Sequence, residues 1–162
     1  MVIISKYTLE YNKEKNIYYV ETDEVSICPI CTSELIKNGR KKRKTIREEN
    51  KLINLSLRRL KCRKCNKTHR ELPDCIVPYK RYGTQAIENI LMDAVDVFCE
   101  ESTIRRIKMW WLLIQIYVIK IAASLSAKYG YDITTVKKVA EIVRLLANSH
   151  LWPCTRSALK PG

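Results

Sequence analysis

Two cysteine pairs carry the clearest chemistry in this chain. They are Cys28-Pro29-Ile30-Cys31 and Cys62-Arg63-Lys64-Cys65, with residues 32–61 between them. A Cys-x-x-Cys pair presents two sulfurs from one tight turn, and two such turns complete the tetrahedral set that a structural zinc takes. Cys28, Cys31, Cys62 and Cys65 are therefore the expected ligands of one structural Zn2+. The competing reading is a pair of redox dithiols. A redox Cys-x-x-Cys opens a helix after a strand, and neither pair here is followed by helical periodicity. His69, four residues past Cys65, could replace one thiolate, but the set is complete without it. Cys75 and Cys99 have no histidine within their motifs, so a nucleophilic role has little support. Together with Cys154 they read as reduced thiols.

Charge is the second signal. The 162 residues carry a formal net charge of +13, and an excess of this size points to a polyanionic partner. It is unevenly spread. Residues 1–27 have a net charge of −2, residues 28–82 of +12 and residues 83–162 of +3. The excess sits on and just after the cysteine module. Arg40, Lys41, Lys42, Arg43 and Lys44 form an unbroken cationic run, and Arg47, Arg58, Arg59, Lys61, Arg63, Lys64 and Lys67 fall in the same segment. Lys80 and Arg81 lie between Tyr79 and Tyr82. The plain alternative is a solvated or localisation-type patch. Phosphate contact explains better why so many like charges are held together, although such contacts position a protein and carry little sequence information.

The elements that must position these groups read as an α+β chain: a small antiparallel β zinc ribbon followed by an α-helical, helix-turn-helix-like bundle. Residues 1–27 are expected to form an N-terminal β-hairpin, with Ile17–Val20 as its clearest strand, residues 7–11 as partner and a turn near 12–15. Residues 2–4 are a second candidate partner. Residues 28–72 are the four-cysteine ribbon. There Glu34–Lys37 is a short strand, Asn38-Gly39 signals a two-residue reversal, and Glu49-Asn50-Lys51 a second turn. Ile53, Leu55 and Leu57 alternate with polar residues, the period of a half-buried strand. Leu60 falls out of that phase, which predicts a bulge near Arg58-Arg59. So small a ribbon relies on its metal to fold.

Residues 73–83 read as a basic, aromatic linker broken by Pro73, Pro78 and Gly83. Residues 84–150 are helical. Thr84 is the expected cap of a first helix, Val95–Phe98 a short piece, and Ser102 the N-cap of a second helix ending at Gly130. A last helix is expected over about Thr134 to Asn148, with residues 151–162 as a tail.

A helix, a break and a second helix with Arg105 and Arg106 near its start fit a helix-turn-helix. In that reading Ser102, Thr103, Arg105 and Arg106 meet base edges in the major groove of duplex DNA, where arginine can pair with guanine. The alternative is an ordinary amphipathic helix with a solvated basic face. The run Trp110–Ala123 is apolar around most of its circumference, and a bilayer-wide window must include Lys120. It reads as a buried or homodimer-forming helix rather than a membrane span. No phosphate-binding loop, dinucleotide turn or nucleophile elbow is present, so a non-enzymatic protein is expected. With no cleavage-type leader among its first residues, a bacterial cytoplasmic location follows, nucleoid-associated if the chain is DNA-bound.

The run Cys-Pro-x-Cys, a basic stretch and Leu57-Arg58-Arg59-Leu60-Lys61-Cys62-x-x-Cys65 resembles the N-terminal zinc ribbon of insertion-sequence transposases. Further marks are Glu71-Leu72-Pro73-Asp74, Val77–Tyr82, Glu101–Arg106 and Trp152-Pro153-x-Thr155-Arg156-Ser157-Ala158. These resemble a bacterial family of uncharacterised proteins found with mobile elements. The resemblance implies a transposase-like DNA-binding unit, an accessory or regulatory factor without a strand-transfer domain of its own. An RNA-binding or ribosome-associated ribbon, with Tyr79 and Tyr82 stacking on unpaired bases, and a membrane-associated adaptor are the alternatives. The chain departs from the ribbon pattern in one respect. Glycine usually follows the second cysteine of each pair, and here Thr32 and Asn66 stand there; asparagine tolerates positive φ, threonine poorly.

Overall fold

The computed structural model describes residues 1–46, 51–94, 99–130 and 132–153. Its strands are β1 (Val2–Ile4), β2 (Thr8–Asn12), β3 (Ile17–Glu21), β4 (Leu35–Ile46), β5 (Leu52–Cys62) and β6 (Thr68–Pro73). Its helices are α1 (Thr84–Leu91), α2 (Glu101–Tyr129) and α3 (Val139–Asn148), with a 3-10 turn at Ile133–Thr135. The fold class is α+β, as expected.

Everything in the sheet is assembled on β5. One edge of β5 pairs with β4 over its whole length, antiparallel, from Leu35 opposite Cys62 to Ile46 opposite Leu52. The other edge is shared. Leu55 and Ser56 take β3 in parallel, and Arg59–Lys61 take β6 antiparallel. β2 extends the sheet beyond β3, and β1 lies parallel to β6. The hairpin β2–β3 forms where it was expected, whereas residues 2–4 join β6 rather than the hairpin.

The sheet forks between β3 and β6, and Arg58 fills the fork. Its guanidinium pairs with Glu71 through Nε and through Nη2, which donates to Oε1 at 2.8 Å, while Nη1 donates to the Thr22 carbonyl at 2.9 Å. Ser26 Oγ donates to the same carboxylate at 2.6 Å. Glu71 is 1% exposed and Arg58 7%.

Two sequence expectations fail in β4 and β5. Asn38-Gly39 does not reverse the chain. β4 runs straight through it, and the two residues bulge opposite the single residue Arg59. Gly39 takes φ +85°, which a bulge accepts as readily as a turn does. Leu60, in turn, needs no bulge in β5. Ile53, Leu55 and Leu57 face the main core, while Leu60 and Cys62 belong to the opposite face and pack with Val2, Cys28 and Leu35. A strand serving two cores shows two apolar phases, and alternation alone reads the second as an error. The turn expected at Glu49-Asn50, the piece at Val95–Phe98 and the tail beyond Pro153 lie outside the described residues.

The main core draws Ile3 and Ile4, Val20, the apolar face of β5, Ile76 and Val77, and the inner faces of all three helices into one cluster closed by Trp152. α2 contributes Ile107, Trp111, Ile114, Val118 and Leu125, an i, i+4, i+7 stripe. Gly130 ends α2 at φ +74°, its N–H bonding the Ser126 carbonyl at 2.8 Å. The expected N-caps shift by one or two residues. Gly83 and Glu100 occupy the cap positions, with Thr84 and Ser102 inside their helices. The last helix begins five residues later than expected. Asp132 caps the 3-10 turn instead, and Glu88 of α1 accepts the Val139 N–H at 2.8 Å.

Candidate functional site

The two cysteine turns are built alike. The Cys28 N–H donates to the Ser33 carbonyl at 2.8 Å and the Thr32 N–H to the Cys28 carbonyl at 2.9 Å. Cys62 and Lys67 repeat the first bond at 2.9 Å, and Asn66 and Cys62 the second at 3.1 Å. Both fold the chain back through a left-handed residue, Thr32 at φ +60° and Asn66 at φ +62°. Threonine therefore takes the conformation that its branched Cβ disfavours.

The turns face one another. Cys28 Sγ lies 3.6 Å from Cys65 Sγ and Cys31 Sγ 3.4 Å from Cys62 Sγ. All four sulfurs fall within 4.8 Å of one another. Four thiolates bound at about 2.3 Å to one tetrahedral ion stand about 3.8 Å apart, so the cluster has the size and donor set for a single metal. Cys31 and Cys65 are pushed in opposite directions. The Ser33 backbone N–H draws the Cys31 thiol down to about 6. For Cys65 the Lys67 N–H pulls the same way, but burial and the neighbouring thiols overcome it and push that thiol up to about 12.

His69 is the residue near this centre that spacing undervalued. Paired with Leu60 across β5 and β6, it is buried with Nε2 3.5 Å from Cys28 Sγ. Burial holds its pKa below the ordinary histidine value. Its Nε2 is within hydrogen-bond reach of the Cys28 sulfur, which places it beside the four-cysteine set rather than in it. Only the β5–β6 register brings the two together, and no sequence signal carries it.

The basic residues divide into committed and offered groups. Arg58 is buried in the fork. Arg40 pairs with Glu21, donates from Nη2 to the Val20 carbonyl at 3.1 Å, and lies over the Tyr19 ring at 5.1 Å. Arg43 donates to the Val77 and Lys80 carbonyls at 2.8 Å each, clamping the 77–80 turn. Lys80 sits over Trp110 at 4.3 Å. These four were expected to meet phosphates, and their charges are instead used to join strands and loops. Lys41, Lys42, Lys44 and Arg81 are exposed, as are Arg63, Lys64, Lys67 and Arg70 around the second cysteine turn; Arg59 is exposed but partly committed, its Nε donating to the Asn38 carbonyl at 2.7 Å. The five-residue run is one stretch of an edge strand, so its members alternate between two faces.

At the start of α2, Ser102, Arg105 and Arg106 are exposed and Thr103 half-exposed. Arg105 pairs with Glu101 at 3.1 Å, Arg106 Nε donates to the Ser102 carbonyl at 3.2 Å, and its Nη2 reaches Thr103 Oγ1 at 3.1 Å. Residues 92–100 separate α1 from α2, a longer connection than the three or four residues of a helix-turn-helix.

A family model described as a domain of unknown function (DUF6431) matches residues 28–107. The match begins at Cys28 and ends at Ile107 in α2, so it takes in the four-cysteine cluster, β4 to β6 and the helix start, and leaves out β1 to β3. Its description mentions neither transposases nor mobile elements. No curated protein and no solved structure matches the chain.

Proposed function

We propose that the chain is a zinc-dependent DNA-binding protein, in which one structural Zn2+ locks the two cysteine turns and the basic surface around them holds duplex phosphates. The observation that carries this reading is the cationic shell of the centre: Arg59, Arg63, Lys64, Lys67 and Arg70 are all exposed on β5, the second turn and β6. The finer reading gives α2 a role in the major groove through Ser102, Thr103, Arg105 and Arg106, supported by their exposure on its first two turns. Biologically the protein acts in the cytoplasm as a transposase-like accessory or regulatory factor, without catalysis of its own, in keeping with its motif resemblance.

The zinc-loaded protein tests this against a labelled duplex. Affinity should fall with salt, each phosphate contact adding about −0.9 to the log–log slope. Arg59→Gln and Lys64→Gln should each flatten the slope by about one contact, and Arg105→Ala/Arg106→Ala should remove any preference among sequences. Binding that ignores salt, or no binding at all, would sink the proposal. RNA in place of duplex DNA would then be the next probe.

Self-association belongs to the same reading. α2 bears a second apolar stripe away from the core: Met109, Leu112 and Ile119 are exposed, and half-buried Ile116 completes the 3-4-3 spacing of a helix seam. The helix is long and apolar enough to cross a membrane by length and composition. Its other face, however, packs into the main core through Ile107, Trp111, Ile114 and Val118, which favours a second copy of the chain over lipid as the cover.

A further inference from the structure

The turn clamped by Arg43 is strained in an informative way. Val77-Pro78-Tyr79-Lys80 closes with the Lys80 N–H on the Val77 carbonyl at 3.2 Å, and Tyr79 holds φ +60°. Proline second and a positive φ third make this a type II turn, whose third position belongs to glycine or asparagine. A tyrosine there costs conformational energy. No packing offsets that cost, because Tyr79 is 70% exposed. The two Arg43 bonds and the seating of Lys80 on Trp110 hold the backbone in place, so the ring is displayed rather than stowed.

Beside the ring lies an open groove of about 460 Å³, lined by Arg43, Arg59, Thr68 and Arg70 along with Tyr79, and with no carboxylate in its lining among the described residues. Its charge is unbalanced: burial, and then the charge of Arg70, hold down the pKa of Arg43. An exposed aromatic face next to guanidiniums without acids matches one chemical group in particular. An unpaired nucleotide brings a flat base to stack and phosphate oxygens that accept forked hydrogen bonds. A base inside a duplex has no free face to offer.

We infer that the groove beside Tyr79 binds an unpaired nucleotide of a nucleic-acid strand, its base stacked on Tyr79 and its phosphates held by Arg59 and Arg70. The inference rests on the nucleic-acid reading of the ribbon and gives that surface a single-strand site of its own. Such a site suits a protein that works where a duplex is opened or ends.

Tyr79→Asn separates ring from fold, because asparagine fits the turn and the variant should melt at or above the wild-type temperature. Fluorescence anisotropy of the zinc-loaded protein would use labelled oligothymidine of about 12 nucleotides, a site-sized strand, and a duplex of equal length. The expected result is a loss of about tenfold on the single strand with the duplex within about twofold, and retention in Tyr79→Phe. Arg70→Gln should weaken the single strand as well. Irradiation with a bromodeoxyuridine-substituted strand should crosslink wild-type protein at Tyr79. Oligouridine binding with the same dependence on Tyr79 supports the site equally. Single-strand affinity unchanged in Tyr79→Asn, or equal losses on strand and duplex, would overturn the inference, and wild-type binding to the duplex would still support the proposed function. Failure of wild type to bind either probe would remove both.

Discussion

Replacing Glu71 by alanine should be among the most damaging single changes in this protein, and its size can be worked from the fork. Glu71 accepts from Arg58 at two nitrogens and from Ser26, with almost no solvent contact. Its hydrogen bond is also the main reason the Arg58 pKa is raised, so Arg58 stays charged. Removing the carboxylate leaves that charge the Thr22 carbonyl as its remaining hydrogen-bond partner among the described residues. Breaking a buried pair from one side costs about 3–5 kcal/mol. At roughly 2–4 °C per kcal/mol for a chain of this size, the melting temperature should drop by about 6–20 °C. Thermal unfolding of zinc-loaded protein followed by far-UV circular dichroism measures it. The double variant Arg58→Met/Glu71→Leu should recover most of the loss, since apolar groups of similar volume can replace a buried pair. A single-variant loss below about 1 kcal/mol, the scale of a surface ion pair, would refute the reasoning. So would a double variant that costs the sum of the two singles. The same argument predicts that Arg58→Ala lowers nucleic-acid binding only through the folded fraction and leaves the salt slope of the folded protein unchanged.

Four further outcomes are expected. Chelation or Cys31→Ser should expose amides of residues 28–35 and 60–69 to hydrogen exchange before those of the helices, because Val2, Leu35 and Leu60 cluster with the cysteines, apart from the main core; uniform exchange would contradict this. Metal binding at pH 7 should release protons, because a Cys65 thiol near 12 is protonated in the metal-free protein whereas a Cys31 thiol near 6 is already ionised. Calorimetry in buffers of different ionisation enthalpy reads the number, and zero would be the wrong answer. Thr32→Asn, which copies Asn66 of the second turn, should gain up to about 1 kcal/mol in denaturant midpoints by relieving a branched residue at positive φ. Leu112→Lys/Ile119→Lys should shift the mass seen by light scattering to the monomer without lowering the melting temperature, and a dimer that survives it must use another face.

The parts of this structure that were legible in the sequence share a property: each depends on residues close together in the chain. The cysteine turns, the β2–β3 hairpin and the stop at Gly130 are of this kind. What was misread depends on which strand lies across the way. Asn38-Gly39 suits a reversal and a bulge equally, and only the register with Arg59 decides between them. Leu60 looked out of phase because the core on the second face of β5 is built partly from Val2 and Cys28, far off in sequence. Arg40, Arg43 and Arg58 looked like surface charge because their partners, Glu21, the 77–80 turn and Glu71, are brought to them by the sheet. Counting cations overstates a binding surface when the arginines among them serve as crosslinks. The lysines of the same run stay outside, as the stronger hydration of an ammonium favours.

The side chain of Asn148 accepts the Ile3 N–H at 2.7 Å and returns a bond to the Ile3 carbonyl at 3.0 Å. One amide group thus imitates a neighbouring strand along the open edge of β1. In synthesis order, this ties β1, made before β6, to α3, made after both. β1 has no partner until β6 is made, and its outer edge has no cover until α3 has been synthesised and docked. Throughout that interval a short, wholly apolar segment, Val2-Ile3-Ile4, presents unpaired backbone, the kind of edge along which chains associate wrongly. The sheet and the helices are for this reason partners in biogenesis, and the basic half, expressed without α3, would meet solvent with its seam undone.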